Sequence, residues 1–473
     1  MPSVEIPHAP GMTRRQLIKN GVAVGATLTI AGIGLNVPRA QAAPGLRVGV
    51  IGGGMAGLET AWLLDGTHTV TLLEKATAIG GHAQTVSVTV GGGVHNVDVG
   101  AQYFAQESYP NFWKLLNTTL SIPVVQANMS VGVWRYGSKN MEFLSTNPLA
   151  TFVNAISMAA FTTAAQVDWA GNDRRGKGDW NTTLQTYVDS LGIVQSSKTN
   201  FLYPFLGALN GTSTAQNNMV AARGGVAFLA RPTTVVAYQP FPYHNARDGL
   251  KAVADKMLSQ LTTTTVRPGR GVVGLTKVGD EFVVTDSASQ QYRFDKIVLA
   301  LPPQPAAGLV SQLGMAGSSI ASIYNNMQYF HATTAIHTDP VYMHPDKTKW
   351  ASYNARNDGA YCEASMWYGA IQDQVKGLPI FKSWTTHRRE TPAPSQVLAT
   401  ADYWHPNITP GFINAQKSLH TIQGQNGIWF AGTHTYDVDS QESALVSACK
   451  VAQGLAPGTA RLTALNPDIK AIW

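Results

Sequence analysis

The sequence is poor in charged residues and in cysteine. Asp, Glu, Lys and Arg make up 13% of the 473 residues, about half the share of ordinary soluble proteins. No basic cluster interleaved with aromatic residues occurs, which argues against a nucleic-acid partner. The two cysteines, Cys362 and Cys449, exclude a disulfide scaffold and the paired-cysteine motifs of metal or redox sites. We interpret them as buried free thiols, with a disulfide between them as the alternative, and predict no metal site.

The sequence also lacks a strongly apolar N-terminal segment. Residues 21–37 are rich in Gly, Ala and Thr, so they make a poor membrane span. They follow the twin-arginine pattern Thr13-Arg-Arg-Gln-Leu-Ile-Lys19 and precede Ala40-Gln-Ala42, a small-residue cleavage site. Residues 1–42 are therefore predicted to be a signal peptide for the twin-arginine (Tat) export machinery, with an N-terminal anchor as the alternative. We expect a periplasmic or secreted bacterial protein without a stable membrane span.

Glycine, in contrast, is plentiful, and one stretch places it in a functional spacing. A strand-like run leads into Gly52, Gly54 and Gly57, which form the pattern G-x-G-x-x-G before a helix-like run. Such glycines allow a tight turn, the approach of a pyrophosphate to the backbone, and close packing of helix on strand. A second strand at residues 69–73 ends in Glu74, placed to bind ribose hydroxyls. The pattern predicts a dinucleotide-binding unit.

The segments that follow resemble the flavin-containing amine oxidase superfamily. Gly80-Gly-His-Ala-Gln-Thr85 and Asp98-Val-Gly-Ala-Gln-Tyr103 match its G-G-x-x-x-T and D-x-G-A-x-Y motifs. Near the other end, Gly427-Ile-Trp-Phe-Ala-Gly-Thr433 is similar to its last strand, and Asp439-Ser-Gln-Glu-Ser-Ala-Leu445 to its last helix start. The resemblance implies an α/β protein in which a Rossmann-type, doubly wound FAD-binding domain is interleaved with an α+β substrate-binding domain.

The resemblance also implies which residues contact the cofactor. These are Gly52, Gly54, Met55, Ala56, Gly57, Glu74, Lys75, Gly80, Gly81, His82, Gly100, Ala101, Val272, Ala300, Gly432, Thr433, Ser443 and Ala444. The N-terminus of the last helix would direct its N–H groups at the pyrimidine edge of the flavin. Where members of the superfamily bind flavin covalently, the flavin is usually attached to a cysteine near the final motif. Cys449 lies too far along the last helix for that role, so non-covalent FAD is predicted.

The same resemblance divides the mature chain into two interleaved domains. The FAD-binding domain is expected at 45–105, 244–303 and 421–465, and the substrate domain at 106–243 and 304–420. Helix-prone runs lie in the first insertion, at 148–164, 184–191 and 200–209. Alternating, strand-like runs lie in the second, at 334–338 and 350–354. We expect a sheet from the second insertion, helices from the first, and a pocket between the domains.

The C-terminal half resembles a less studied branch of predicted FAD-binding oxidoreductases, some of whose relatives adjoin cyclopropane-fatty-acid synthases or act on lipid chains. Two features of the amine oxidases proper are missing. Their lysine near flavin N5 would fall at Phe330 or His331, and the aromatic residue at the last helix start would fall at Ser440. Tyr436 or Trp367 is a candidate for an aromatic wall instead. Both departures weaken an amine-oxidising function.

Two histidines are the candidates for catalysis, since imidazole exchanges protons near neutral pH. His331 takes the place of the missing lysine, and His434 lies beside the expected flavin ring. The alternatives are a hydrogen-bonded strand histidine for His331 and a contact with FAD phosphate or ribose for His434. Asp437, Asp439 and Glu442 are interpreted as stabilising the helix N-terminus, with binding of a cationic substrate as the alternative.

Together these patterns predict an exported FAD-dependent oxidoreductase. It would transfer a hydride from a small organic substrate, an amine, an alcohol or a saturated C–C bond, to the flavin, with O2 as acceptor. One alternative is a desaturase or isomerase of a lipid or polyene, and the other is a non-catalytic FAD-binding protein. A domain that binds only NAD would not account for the Gly80-Gly81 and Gly432 motifs.

Overall fold

The computed structural model describes residues 45–171, 179–230 and 243–469. The predicted signal peptide, residues 1–42, lies outside the described residues. Strands and helices are numbered here in chain order.

The strands of the described chain are β1 Arg47–Ile51, β2 Thr69–Leu73, β3 Thr85–Val90, β4 Gly93–Asp98, β5 Val124–Gln126, β6 Val131–Arg135, β7 Met141–Leu144, β8 His244–Ala246, β9 Thr265–Arg267, β10 Val272–Val278, β11 Glu281–Asp286, β12 Gln291–Phe294, β13 Lys296–Leu299, β14 Tyr329–His337, β15 Tyr353–Asn357, β16 Cys362–Trp367, β17 Phe381–Trp384, β18 Val397–Pro406 and β19 Ile428–Phe430.

The α-helices of the described chain are α1 Met55–Leu64, α2 Pro110–Lys114, α3 Phe152–Gly171, α4 Leu184–Ser190, α5 Gln195–Ser197, α6 Tyr203–Asn210, α7 Ala222–Gly225, α8 Ala227–Ala230, α9 Lys251–Ser259, α10 Pro303–Val310, α11 Met315–Tyr324, α12 Tyr368–Ile371, α13 Pro410–Thr421, α14 Gln441–Leu455 and α15 Ala460–Leu465.

A parallel sheet forms the first half of the fold. Among the described residues its strand order is β19-β13-β1-β2-β9, and every neighbouring pair is parallel. The central strands are short runs of Val, Ile and Leu with nearly all side chains buried, as expected where helices cover both faces of a sheet. This arrangement confirms the predicted α/β class with a Rossmann-type unit.

The glycine turn after β1 packs as its sequence predicts. Gly52 has a φ of +107°, and a Cβ there would lie 2.3 Å from the carbonyl oxygen of Ala300. A Cβ on Gly57 would lie 1.9 Å from the carbonyl oxygen of Gly52. Neither position therefore accepts a side chain, because α1 lies against the end of β1 at backbone distance.

A larger sheet forms the second half, in the order β18-β14-β17-β16-β15-β6-β7 within the described chain. Most of its strands come from the second insertion, as predicted, but β6 and β7 belong to the first insertion. The prediction of a sheet from one insertion and helices from the other was thus too simple. The predicted strand at 350–354 begins only at Tyr353, because Trp350 ends a tight turn from Lys347.

The last helix is joined to α2 by a buried carboxylate. Glu442 accepts hydrogen bonds from the backbone N–H of Phe112 at 2.8 Å and from the side-chain amide of Asn111 at 2.6 Å. The N-terminus of a helix attracts negative charge, so Glu442 stabilises α2 across 330 residues of sequence. The prediction that Glu442 stabilises the N-terminus of its own helix is corrected, because its carboxylate binds the N-terminus of the neighbouring helix α2.

We expect Glu442→Ala to lower the free energy of unfolding by about 2–3 kcal/mol, because buried N–H groups lose a charged acceptor. Urea unfolding of the FAD-free protein measures the loss. Asp280→Ala is the control, since Asp280 is exposed and a change there costs little. Equal losses in the two variants would contradict the role given to Glu442.

One described helix passes the length and composition test for a membrane span. It comprises residues Pro148–Trp169, with a mean hydropathy of 1.3 in its most apolar window and 39% of that window buried in the protein. Core helices of water-soluble proteins pass the same test, so the observation does not establish a membrane-spanning segment.

Candidate cofactor and substrate site

One cavity of about 1070 Å³ connects the glycine turn of the parallel sheet with the larger sheet. Most residues predicted to contact FAD line it, together with one candidate for catalysis, His434. These residues are Gly52, Gly54, Met55, Ala56, Glu74, Lys75, Gly80, Gly81, His82, Gly100, Ala101, Val272, Ala300, Gly432, Thr433 and Ala444. Residues from segments far apart in the sequence therefore line the same cavity.

Three predicted site residues do not line the cavity. Gly57 lies behind the turn and permits helix packing, the role its spacing predicts. Ser443 is fully buried in α14, and its N–H is taken up by the hydroxyl of Ser440. His331 on β14 is paired with Asp402 and is partly exposed, and it is not found at its predicted place on the cavity wall.

The glycine turn fits a dinucleotide. A Cβ built on Gly54 meets no atom within 4 Å, so the backbone there borders open space that a pyrophosphate can approach. Glu74 accepts from the N–H of Gly53 at 2.6 Å and from that of Ala76 at 2.7 Å. A carboxylate has about four acceptor positions, so Glu74 is held in place and still has capacity for ribose hydroxyls.

The start of α14 borders the same cavity. Ser440 is the N-cap residue, and its hydroxyl accepts from the N–H of Ser443 at 3.1 Å. Ser440, Gln441 and Ala444 all line the cavity. The positive end of this helix dipole therefore faces the space beside Gly432 and Thr433, where it favours an electron-rich or anionic group.

The two candidate histidines differ in their surroundings. His434 is 3% exposed, and its Nε2 atom has no hydrogen-bond partner among the described residues. Burial lowers the pKa of His434 to about 4, so it is neutral and cannot serve as an acid at pH 7. His331 is 41% exposed and forms a surface pair with Asp402 at 3.0 Å.

We expect His331→Ala to change FAD affinity and flavin reduction less than twofold, because a partly exposed side-chain pair outside the cavity wall contributes little. His434→Ala should lower FAD affinity at least tenfold, because it opens a hole beside the Gly432 backbone. Fluorescence titration of the FAD-free variants with FAD measures both. A larger loss of FAD affinity in His331→Ala than in His434→Ala would contradict the placement of the site.

A buried lysine that is not among the predicted site residues lies at the cavity. Lys382 on β17 is 4% exposed and donates to the carbonyl oxygen of Gly100 at 2.5 Å and to Oε1 of Gln102 at 3.2 Å. Burial lowers its pKa to about 8, although the nearby Asp98 opposes the shift. A lone lysine within the apolar run Leu378-Pro-Ile-Phe-Lys-Ser-Trp384 was the signal that could have revealed it.

Aromatic side chains form another part of the wall. His405 stacks on Trp384 with ring centroids 5.0 Å apart, and His82 meets Tyr403 edge-on at 4.6 Å. All four line the cavity. Burial lowers the pKa of His82 to about 4, so this ring too is neutral.

The residues proposed as an alternative aromatic wall lie elsewhere. Tyr436 packs under Lys450 at 4.3 Å, and Trp367 donates its indole N–H to the carbonyl oxygen of Leu378. Neither lines the cavity. Tyr436 and Trp367 are thus corrected to structural residues, because their side chains are engaged in these contacts.

A cluster of acids for a cationic substrate is not formed. Of the three acidic residues near the last helix, only Asp439 lines the cavity. Its carboxylate lies 3.5 Å from Nδ1 of His405. Glu442 holds α2, and Asp437 is a buried turn residue with a φ of +60°. The alternative of a cation-binding acidic cluster is therefore wrong.

The two cysteines are buried free thiols. Neither Cys362 nor Cys449 lines the cavity. Among the residues that the structure describes, no group of His, Cys, Asp and Glu side chains has the arrangement of a metal site.

Comparisons with known proteins agree with this architecture. Residues 50–119 match the family model of the NAD(P)-binding Rossmann-like domain. A putative protoporphyrinogen oxidase from Exiguobacterium sp. 255-15 has 11% identity and a TM-score of 0.62, over 87% of this chain and 98% of that one. A cyclohexylamine oxidase from Brevibacterium oxydans IH-35A has 14% identity and a TM-score of 0.62, over 88% and 99%. The chain has the amine oxidase fold.

A third structure broadens the range of chemistry found on this fold. A CLA-producing fatty acid isomerase from P. acnes has 12% identity and a TM-score of 0.63, over 86% of this chain and 98% of that one. A search of curated protein sequences found no significant match. At such low identities the likeness shows the fold, and the activity has to be argued from the site itself.

Proposed function

We propose that the protein is an FAD-dependent oxidoreductase acting on an apolar organic substrate. One observation carries the proposal: a single cavity joins a dinucleotide-type glycine turn to an apolar pocket under the larger sheet. A site for NAD alone would need no such continuation past Gly80, Gly81 and Gly432. FAD, when bound, supplies the two-electron acceptor for a C–H bond of the substrate.

The chain's own residues bind and orient the two partners. Gly52, Gly54 and Glu74 would hold the dinucleotide end, and the start of α14 would stabilise negative charge on the ring system. The apolar wall excludes water from the reacting atoms, which strengthens every polar contact inside. Neutral His82 and His434 can hold a hydrogen bond there without carrying charge.

Non-covalent binding of FAD is part of the proposal. It is supported by the position of Cys362 and Cys449, both buried away from the cavity wall. Export through the Tat pathway to the periplasm or the medium is proposed from the twin-arginine segment at residues 13–19, and O2 is proposed as the acceptor.

A lipid desaturase or isomerase is the second candidate. The substrate part of the cavity is mostly apolar, and of the three acids near the last helix only Asp439 lines the cavity. Its wall includes Met129, Val131, Phe205, Leu209, Leu229 and Ile408. Such a wall suits a hydrocarbon chain, which gains about 0.8 kcal/mol for each buried methylene group.

An anaerobic absorbance titration separates these candidates. The flavin-containing protein is mixed with amines, alcohols and unsaturated lipids in turn, and air is then admitted. Bleaching by one class identifies a redox substrate, and rapid return of colour in air identifies an oxidase. Conversion of a lipid without bleaching would favour the isomerase. Flavin that neither bleaches nor supports conversion would leave a non-catalytic FAD-binding protein and overturn the proposal.

A further inference from the structure

Two buried side chains beside Gly100, those of Lys382 and Gln102, have more hydrogen-bond donors than partners among the described residues. Lys382 carries three N–H bonds, and two of them reach Gly100 and Gln102. The contact with Lys382 fixes Oε1 of Gln102 as the acceptor, so Nε2 points elsewhere. Nε2 of Gln102 is buried and has no partner among the described residues.

The next residue adds a further donor. The hydroxyl of Tyr103 is buried and likewise has no hydrogen-bond partner in the described chain. Gln102, Tyr103 and Lys382 all line the same cavity. Buried polar groups in folded proteins are nearly always paired, so unpaired donors on a cavity wall mark a place that a ligand completes.

Two acceptor atoms near these donors already hold hydrogen bonds. Oδ1 of Asp98 accepts from the hydroxyl of Thr85 at 2.6 Å and from the N–H of Leu250 at 2.9 Å. The carbonyl oxygen of Gly100 receives Lys382. A ligand at Nε2 of Gln102 and the hydroxyl of Tyr103 meets N–H and O–H groups, which call for an oxygen acceptor, and Lys382 disfavours a second cation.

Apolar side chains form a further part of the cavity wall. Met129, Val131, Phe205, Leu209 and Leu229 line it together with Tyr103. A ligand that satisfies both parts has one oxygen acceptor and an extended hydrocarbon body.

We propose that Gln102, Tyr103 and Lys382 bind a carbonyl oxygen of the substrate, belonging to a carboxylate or a ketone on an apolar skeleton. The proposal rests on the proposed function, because it assigns the substrate class of that same cavity. It places the oxygen at the donors and the hydrocarbon against the apolar wall.

Calorimetric binding to the flavin-containing protein tests this with three ten-carbon probes: decanoate, 2-decanone and decylamine. We expect decanoate, 2-decanone or both to bind at least tenfold more tightly than decylamine. Preference for decanoate over 2-decanone identifies a carboxylate, and the reverse identifies a ketone. Decylamine binding as tightly as the better oxygen probe, or no binding of either oxygen probe, would overturn the proposal.

Variants locate the binding. Lys382→Met and Gln102→Leu should each weaken the better oxygen probe at least tenfold, and Tyr103→Phe, which removes only a hydroxyl, about threefold or more. Lys376→Met is the matched control, because Lys376 is exposed and should leave binding unchanged. Unaltered binding in both Gln102→Leu and Tyr103→Phe would overturn the proposal even if Lys382→Met fails to fold.

The flavin content of each variant is measured separately. If the wild-type protein never takes up FAD, the proposed function is wrong. Binding of the probes to that FAD-free protein still tests the site formed by Gln102, Tyr103 and Lys382. Variants that lose FAD but bind the probes like the wild type would show that the donors serve the cofactor, which also overturns this inference.

Discussion

Replacing Gly57 by alanine is expected to lower the free energy of unfolding by about 3 kcal/mol or more and to abolish FAD binding. The added Cβ would lie 1.9 Å from the carbonyl oxygen of Gly52 and 3.1 Å from Cβ of Ala300. The backbone atom cannot rotate away as a side chain can, so α1 has to separate from the sheet. The turn that holds the pyrophosphate would be displaced with it.

Gly54→Ala should behave in the opposite way. Its Cβ meets no atom within 4 Å, and its φ of −64° suits alanine. We expect the FAD-free protein to keep its stability within about 0.5 kcal/mol. FAD affinity should still fall at least tenfold, because the new methyl group enters the space that a pyrophosphate would occupy.

Urea unfolding of the FAD-free proteins and fluorescence titration with FAD measure the two effects. Gly192→Ala is the control, since Gly192 is exposed and its Cβ would also meet no atom within 4 Å. The account is contradicted if Gly57→Ala unfolds and binds FAD like the wild type, or if Gly54→Ala binds FAD with unchanged affinity.

Asp98→Asn is expected to destabilise the protein by about 2 kcal/mol or more at pH 7, because it leaves Lys382 as a buried charge without a counter-charge. Asparagine retains an oxygen for the hydrogen bonds from Thr85 and Leu250, so the change removes chiefly the charge. Asp98 is 1% exposed, and burial raises its pKa to about 6 against the opposing effect of these bonds and of Lys382.

A double-mutant cycle isolates this pair. In a Lys382→Met background the same Asp98→Asn change should cost less than about 0.5 kcal/mol, which gives a coupling of about 1–3 kcal/mol. Urea unfolding of the four proteins supplies the values. Strictly additive losses would show that Asp98 and Lys382 do not interact.

The pH dependence of stability provides an independent check on Lys382. Its pKa is about 8 in the folded protein, below the ordinary 10.5. Between these values the unfolded chain binds the proton and the folded protein does not, so stability should rise with pH. Burial also lowers the pKa of Lys450 to about 8, so part of the rise belongs to that residue. Lys382→Met should reduce the rise by about 3 kcal/mol across the interval, and the Lys376→Met control should leave it unchanged.

The parallel sheet could be predicted because its signals are local. The glycine spacing, the strand at 69–73 and the acid at Glu74 all lie within the 23 residues from Gly52 to Glu74, and each restricts the backbone by its own chemistry. The strand at 69–73 appears in the structure with the predicted bounds.

The position of the lysine could not be predicted in the same way. The position expected for the missing lysine is Phe330 or His331 on β14, and neither lines the cavity, although Tyr329 and Thr334 of the same strand do. Lys382 reaches the cavity from β17, which pairs with β14 in a register that places it beside Ile336. Long-range strand pairing of this kind leaves little trace in the local sequence.

The start of the last helix shows a similar limit. Its sequence indicates a helix N-terminus with several acids, and the structure has one at Ser440. Which acid faces inward depends on how α14 packs on α2, and Glu442 turned out to bind Asn111 and Phe112. Local charge patterns identify the helix end but not its tertiary partners.

The central claim is that the cavity binds FAD without a covalent bond, and the flavin content of the purified protein tests it most directly. The protein is precipitated with acid, and the supernatant and pellet are analysed for flavin. We predict close to one FAD per chain, all of it in the supernatant, and recovery of the same content when the FAD-free protein is incubated with FAD. Protein that holds no flavin and takes up none, or that binds NAD in its place, would contradict the account; flavin in the pellet would contradict its non-covalent part.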